Sequence, residues 1–308
     1  MNDREAIPEP MKREVRVRCG FGCVICGAPV YHYDHIHGIK VTGHVADEIT
    51  LLCPSHHHEK TVGRLPVSMV EAADADPINL RTGRTRTHQL HLFGENLRLE
   101  LGSLRIEALA DHQSRIRAIQ TDGGVVIGFR LVDGAILFDL KLRDADNRVL
   151  VRIDRSEVQY VSDLWDVTFE GRRLTIRSTD VRPILRMSVH PDESRIVIDR
   201  LSAWANGIHF VVGSRGDFWV VNRPFVVSGV TIQTHSHAFV VTEEDQLFVG
   251  GHGFGRVVRH LGGYGSIFKR PFTAAKVVGV DHDHDGDHGG PVPRNDVARA
   301  VAYATSKR

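Results

Sequence analysis

The stretch CGFGCVICGAPVYHYDHIHG, residues 19–38, holds three of the chain's four cysteines together with three histidines and an aspartate. The fourth cysteine opens CPSHHH, residues 53–58, beside three more histidines. Cys23 and Cys26 form a C-x-x-C knuckle, and Cys53 and His56 form a C-x-x-H pair. Two such pairs, each placed on a tight turn or a first helical turn, suit a tetrahedral zinc site built from thiolates and imidazole. A lone C-x-x-C is equally compatible with inert buried thiols; the second pair is what favours metal. Cys19 is left as a packing residue.

The whole chain agrees with a metal-stapled segment. With 308 residues it exceeds one typical domain and is expected to form two. Four clustered cysteines are too few for a disulfide framework in a chain of that length. A hydrophobic share of 42% and a charged share of 25% exclude a wholly disordered or fibrous protein. No apolar run approaches the ~18 residues of a membrane span, and the opening MNDREAIPEPMKREVRVR lacks a signal peptide's apolar core. A cytoplasmic protein with no membrane association is the expectation. The net charge of +1 means that a nucleic-acid partner would have to be attracted by a local basic patch.

Helical patterns occur around Met11–Arg18 and from Pro54 to Thr61. From about residue 88 the texture changes to short alternating runs such as NLRLEL, AILFDLKL and RVLVRI, separated by turn signals such as VDG and DADN. The fold class expected is therefore α+β in two domains. A small N-terminal module spans 1–80, a basic linker 81–87, and an all-β domain 88–265, sandwich-like or alternatively a β-solenoid. Residues 266–308 are expected to form a solvated linker and a last helix, RNDVARAVAYATSK. Asp281, Asp283, Asp285 and Gly286 imitate the start of a calcium loop, but Val292 stands where such a loop needs a bidentate Glu. In the β domain, Trp165, Trp204 and Trp219 read as packing residues, and His235 and His237 as an exposed pair on one strand face. This domain is expected to bind a protein or small-ligand partner. Oligomeric state is not encoded in any pattern found.

Between the two ligand pairs the chain runs YHYDHIHGIKVTGHVADEITLLC, and then continues PSHHHEKTVGRL. The ordered series C-x-x-C, YDHI, ITLLC and HHHEKT resembles the HNH endonuclease family in its zinc-stapled form, over about residues 12–66. The resemblance implies a ββα-metal fold, a β-hairpin and helix that hold one divalent ion, Mg²⁺ or Mn²⁺, against a scissile phosphate. It implies that His35 is the general base and that Asp34 and His57 are ligands of the catalytic ion. His57 follows His56 on a helix, about 100° further round, so the two can face different ions. Hydrolysis of a phosphodiester needs a deprotonated water, which an imidazole can generate, and charge stabilisation, which a metal supplies. The zinc of Cys23, Cys26, Cys53 and His56 would then be structural, since a module this small buries too little apolar surface alone.

The family's middle Asn would fall at about Glu48, and a carboxylate accepts but does not donate hydrogen bonds. Glu48 is carried as a catalytic position, with metal binding by Glu48 or Asp47 instead as the alternative. His32, His37, His44 and His58 are weaker candidates; His44 and His58 are expected to face solvent, with lining the phosphate pocket as the alternative. Lys60, Arg64, Arg81, Arg84 and Arg86 would contact phosphates, with a solvated linker as the alternative for the last three. The function implied is a metal-dependent endonuclease of nucleic acid, with DNA rather than RNA the expected substrate. The alternative is a zinc-stabilised binding module without chemistry, fused to a partner-binding β domain.

Overall fold

The computed structural model describes residues 6–277, apart from 95, 110–114, 122–123, 133–134, 179–182, 206, 214–215, 221–224, 235–236, 242–246, 262 and 267–271. The aspartate-rich segment, the last helix and His235 lie outside the described residues. The described chain is mixed α and β with strand predominating. It divides into two compact units, one of residues 1–89 with 157–182, the other of 90–156 with the residues from 183 onward.

The first unit begins with helix α1, Glu9–Arg18, which has Pro10 in its first turn, where a missing N–H costs nothing, and Arg16 and Arg18 in its last, where they complement the dipole. Strand β1, His32–His35, pairs antiparallel with β2, Ile49–Leu52, in the register His35 opposite Ile49 and His32 opposite Leu52. Between them lie the short helix α2, Ile39–Thr42, and a 3-10 turn, Ala46–Glu48. Helix α3, Pro54–Thr61, follows β2 directly, and α4, Val67–Ala75, and α5, Ile78–Thr82, complete the run. All four residues of β2 are buried, as expected for a strand that packs against both α1 and α3. Val15, Val24, Ile36, Leu51 and Val70 form the apolar core around it.

Residues 157–182, which read as part of the β domain, are built into this unit. Strand Glu157–Tyr160 pairs with His88–Gln89, and Asp166–Glu170 forms a hairpin with Arg173–Arg177. Asp166 is buried and takes two hydrogen bonds from the buried Arg16 of α1, at 2.8 and 2.9 Å. Arg16 also donates to Tyr33 Oη at 2.7 Å. The fully buried Tyr160 donates its hydroxyl to Phe21 O at 3.2 Å. Trp165 packs differently from the strand-core role its sequence context implies: the Arg13 guanidinium lies over its ring, 3.8 Å from the centroid. The basic stretch 81–87 also belongs to this unit. Thr85 is buried and its amide donates to Tyr160 O, while the Arg86 amide donates to Gly27 O at 2.8 Å. The Arg81, Arg84 and Arg86 side chains are exposed.

The second unit is a large sheet. Strands Arg115–Thr121, Gly124–Val132, Ala135–Arg143 and Val149–Asp154 pair in order as an antiparallel meander, as do Pro183–His190, Arg195–Ala205, Ile208–Val212, Phe218–Val220 and Phe225–Thr234. Burial alternates along Ala135–Arg143 as its sequence requires. Three parallel ladders join the halves: Arg195–Ala205 on Asn96–Leu101, Phe225–Thr234 on Leu104–Leu109, and His237–Val241 on Arg115–Thr121. Trp204 stacks on its cross-strand partner His209 with 4.7 Å between centroids. Among the described residues no helix is long and apolar enough to cross a membrane.

Candidate metal centre and adjoining carboxylate–histidine site

The C-x-x-C knuckle is a closed turn: Gly27 N donates to Cys23 O at 2.8 Å, and Cys23 N to Ala28 O at 2.9 Å. Gly27 has φ +75°, and a Cβ there would lie 2.5 Å from Asn79 Oδ1, so both backbone conformation and space demand glycine. Cys53 directly follows β2 and occupies the N-cap position of α3, where Pro54 starts the helix; one turn brings His56 back over it. His56 Nδ1 lies 3.3 Å from Cys23 Sγ and 3.4 Å from Cys53 Sγ, and Cys26 Sγ lies 3.8 Å from Cys53 Sγ. All four donor atoms fall within 4.8 Å of one another. Bond lengths for tetrahedral zinc require sulfurs about 3.8 Å apart and sulfur to nitrogen about 3.6 Å. The donor set therefore fits structural zinc in both type and spacing.

The two knuckle thiols are pushed in opposite directions. Their mutual interaction draws the Cys26 thiol down to about 5 and, with burial, holds Cys23 above the ordinary thiol range. A metal takes cysteine as thiolate, so uptake would release the protons the thiols still carry. Cys19 stands apart, with Sγ 3.7 Å from Thr50 Oγ1. Burial pushes its thiol up to about 12, which makes it inert, as a packing residue should be.

One residue beyond His56, the helix turns His57 toward β1. His57 Nε2 lies 3.4 Å from Oδ1 of Asp34, a carboxylate only 7% exposed. Two donors about 2.1 Å from one ion stand about 3.0–3.5 Å apart at angles of 90–110°, so this pair is spaced to share a cation. Lys60, one helical turn after His57, places Nζ 2.6 Å from Asp34 Oδ2 and 2.7 Å from the His35 carbonyl. The His32 ring stacks on His57 at 5.3 Å. His35 ends β1 and projects to the other strand face from Asp34. Its Nε2 lies 3.2 Å from His44 Nδ1. Burial first, then His44 and Lys60, lower the His35 pKa below its ordinary value, and Asp34 opposes them, so the ring is neutral at pH 7.

No family model, curated protein or solved structure matches this chain. The site is therefore read from its own geometry.

Of the residues picked out by sequence, the structure groups Cys23, Cys26, Cys53 and His56 at one centre, and Asp34, His57 and Lys60 at a second. Lys60 points inward to Asp34, whereas Arg64 is exposed. Glu48 engages His37, with Oε2 2.7 Å from His37 Nδ1, and Glu71 Oε1 stands 3.1 Å from the ring's other nitrogen. The Glu48 hydrogen bond, aided by Glu71, raises the His37 pKa. Asp47 and His58 are exposed. Sequence reasoning missed the specific parts played by Glu71, His44 and Lys60. The spacing of Lys60 from His57 on one helix was the available signal; Glu71 and His44 had none, because loop closure brings them in.

Proposed function

We propose that the first unit is a metal-dependent phosphodiesterase module, an endonuclease that acts on nucleic acid, with DNA the expected substrate. The observation that carries this reading is the divergence of consecutive imidazoles on α3. His56 joins three thiols, and His57 joins a buried carboxylate 3.4 Å away. Asp34 and His57 would hold Mg²⁺ or Mn²⁺, the hard carboxylate providing the main attraction and the borderline imidazole a second contact, with positions left open. That ion, when bound, supplies charge stabilisation at the phosphate and the leaving oxygen. His35, neutral at pH 7, accepts the proton of the attacking water. Lys60 orients Asp34 and adds a positive charge beside the phosphate. The exposed Arg64, Arg81, Arg84 and Arg86 contribute backbone contacts that set affinity without reading sequence. The zinc holds hairpin and helix in register. The second unit serves as a partner-binding or regulatory element, and the protein acts in the cytoplasm.

The purified full-length protein with Mn²⁺ or Mg²⁺ is expected to nick supercoiled plasmid, and His35→Ala to abolish nicking; equal cleavage by both proteins discards the assignment. A second reading, a zinc-stapled binding module without chemistry, draws support from the ion pair that already engages Asp34 and from Glu48 being committed to His37. Calorimetric titration of the zinc-loaded protein with Mn²⁺ separates the two. The enzyme shows a second, weaker site that Asp34→Asn removes, whereas the binding module shows none.

A further inference from the structure

We propose that His44 is a positioning residue for His35: its Nδ1 accepts a hydrogen bond from His35 Nε2–H, which fixes the ring plane and leaves His35 Nδ1 as the proton-accepting nitrogen. The inference rests on the reading of His35 as general base, and it deepens that reading by naming the atom that works and the group that aims it.

The contact has the geometry of a hydrogen bond. The two nitrogens are 3.2 Å apart while the ring centroids are 5.2 Å apart and the planes inclined by 44°. The rings therefore meet edge to edge, nitrogen to nitrogen, rather than face to face. Which nitrogen of a histidine carries the proton is set by the hydrogen bond that the other ring atoms make. With His35 as donor, both imidazoles carry their proton on Nε2, the form that a neutral imidazole side chain ordinarily prefers. With His44 as donor, the proton of His35 would sit on Nδ1, and that ring would have no free lone pair with which to take a proton from water.

The surrounding chain holds both partners in place. The His35 carbonyl already accepts hydrogen bonds from Lys60 Nζ at 2.7 Å and Gly38 N at 3.1 Å, so its peptide is fixed and the ring is the remaining freedom. His44 sits on the connection between α2 and the 3-10 turn, just after Gly43 at φ +64°. That connection is tied down at both ends: Ile36 N donates to Glu48 O at 2.8 Å, and His37 is clamped between Glu48 and Glu71. Glu48 is thus engaged elsewhere, and the group that meets the His35 ring is His44.

The test uses the full-length protein, ¹⁵N-labelled on histidine, without substrate. A nitrogen–nitrogen coupling across the hydrogen bond, between His35 Nε2 and His44 Nδ1, is expected in wild type and is lost in His44→Phe. Steady-state cleavage of a duplex DNA with Mn²⁺ then separates aiming from binding. His44→Phe should lower kcat about 10–100-fold, the usual cost of removing an outer-shell support, with KM unchanged. His44→Asn, whose amide oxygen stands where Nδ1 stood, should restore most of that rate, with thermal unfolding confirming that both variants fold. A proton found on His35 Nδ1, an undiminished kcat in His44→Phe, or equal loss in both variants overturns the proposal. Wild-type protein that shows the coupling but cleaves no nucleic acid upholds the hydrogen bond and overturns the phosphodiesterase reading instead.

Discussion

Replacing Asp166 by Asn should destabilise the first unit severely, although residue 166 lies more than a hundred positions from the helix it supports. The Arg16 and Asp166 side chains are 3% and 5% exposed, and two hydrogen bonds of 2.8 and 2.9 Å join them. Arg177 stands 3.6 Å from the same carboxylate. Asp166→Asn keeps the volume but leaves the buried Arg16 with only the exposed Glu9, 3.9 Å away, as a counter-charge. Breaking a buried pair in this way costs about 3–5 kcal/mol, against a typical total stability of about 5–15 kcal/mol. For a unit of this size that corresponds to a drop of roughly 10–20 °C in Tm. Because Arg16 also donates to Tyr33 on β1, the loss should propagate to the hairpin that carries Asp34. The assay is calorimetric unfolding of the zinc-loaded full chain, together with the rate of zinc release to a colorimetric chelator. The double variant Arg16→Met with Asp166→Leu should recover part of the loss, since it removes both charges of the buried pair and leaves only the lost contacts of Tyr33 and Arg177. A shift below about 1 kcal/mol in Asp166→Asn, or a double variant worse than either single, would refute the claim that residues 157–182 are integral to this unit.

Other outcomes follow from the same geometry. Chelation of zinc, or Cys53→Ser, should unfold the hairpin and α3 by far-UV circular dichroism, because the unfolded chain has no preformed site and the binding free energy is therefore folding free energy. Zinc affinity should rise with pH, since uptake displaces the proton that Cys23 still carries; a competition titration between pH 6 and 8 checks the sign. Gly27→Ala should cost about 1–3 kcal/mol in denaturant unfolding, because a φ of +75° and a close approach to Asn79 both oppose a Cβ. His37 has a folded-state pKa raised by Glu48 and Glu71. Its stabilisation is therefore full below its unfolded value and lost as pH rises through the folded one. His37→Gln should remove that dependence from a pH series of melting temperatures.

What could be read from the sequence was what is local. The zinc donors sit in two pairs of i, i+3 spacing, so residue order alone nearly determines the ligand set once a turn and a helix start are recognised. The boundaries Pro54–Thr61 of α3 follow from a proline start, and the 100° step between His56 and His57 follows from helix geometry. The α4 and α5 helices are not among the helical patterns found in the sequence; their N-caps are Pro66 and Pro77, a residue type that more often interrupts a helix than precedes one. Residues 157–182 alternate like their neighbours, and alternation reports only that one face is buried, never against what. The parallel ladders are silent for the same reason.

The second centre shows how local and distant determinants combine. Local spacing sets His57 and Lys60 on one side of α3, yet neither has a function until β1 delivers Asp34 beside them. The register of β1 on β2 decides that delivery: His32 opposite Leu52 and Asp34 opposite Thr50 place both residues on the face that α3 covers. A slip of one residue would turn His35 and Tyr33 toward α3 and carry the carboxylate away. Zinc held by the four donors would oppose such a slip, because Cys53 immediately follows Leu52 and would be joined through the cation to the Cys23 turn, whose neighbour Val24 donates its amide to Leu51 O at 3.0 Å. A metal in that centre would thus do more than add stability. It would fix the register on which the meeting of Asp34 with His57 depends, so chelating it should abolish any Mn²⁺ binding at Asp34 before the rest of the unit unfolds.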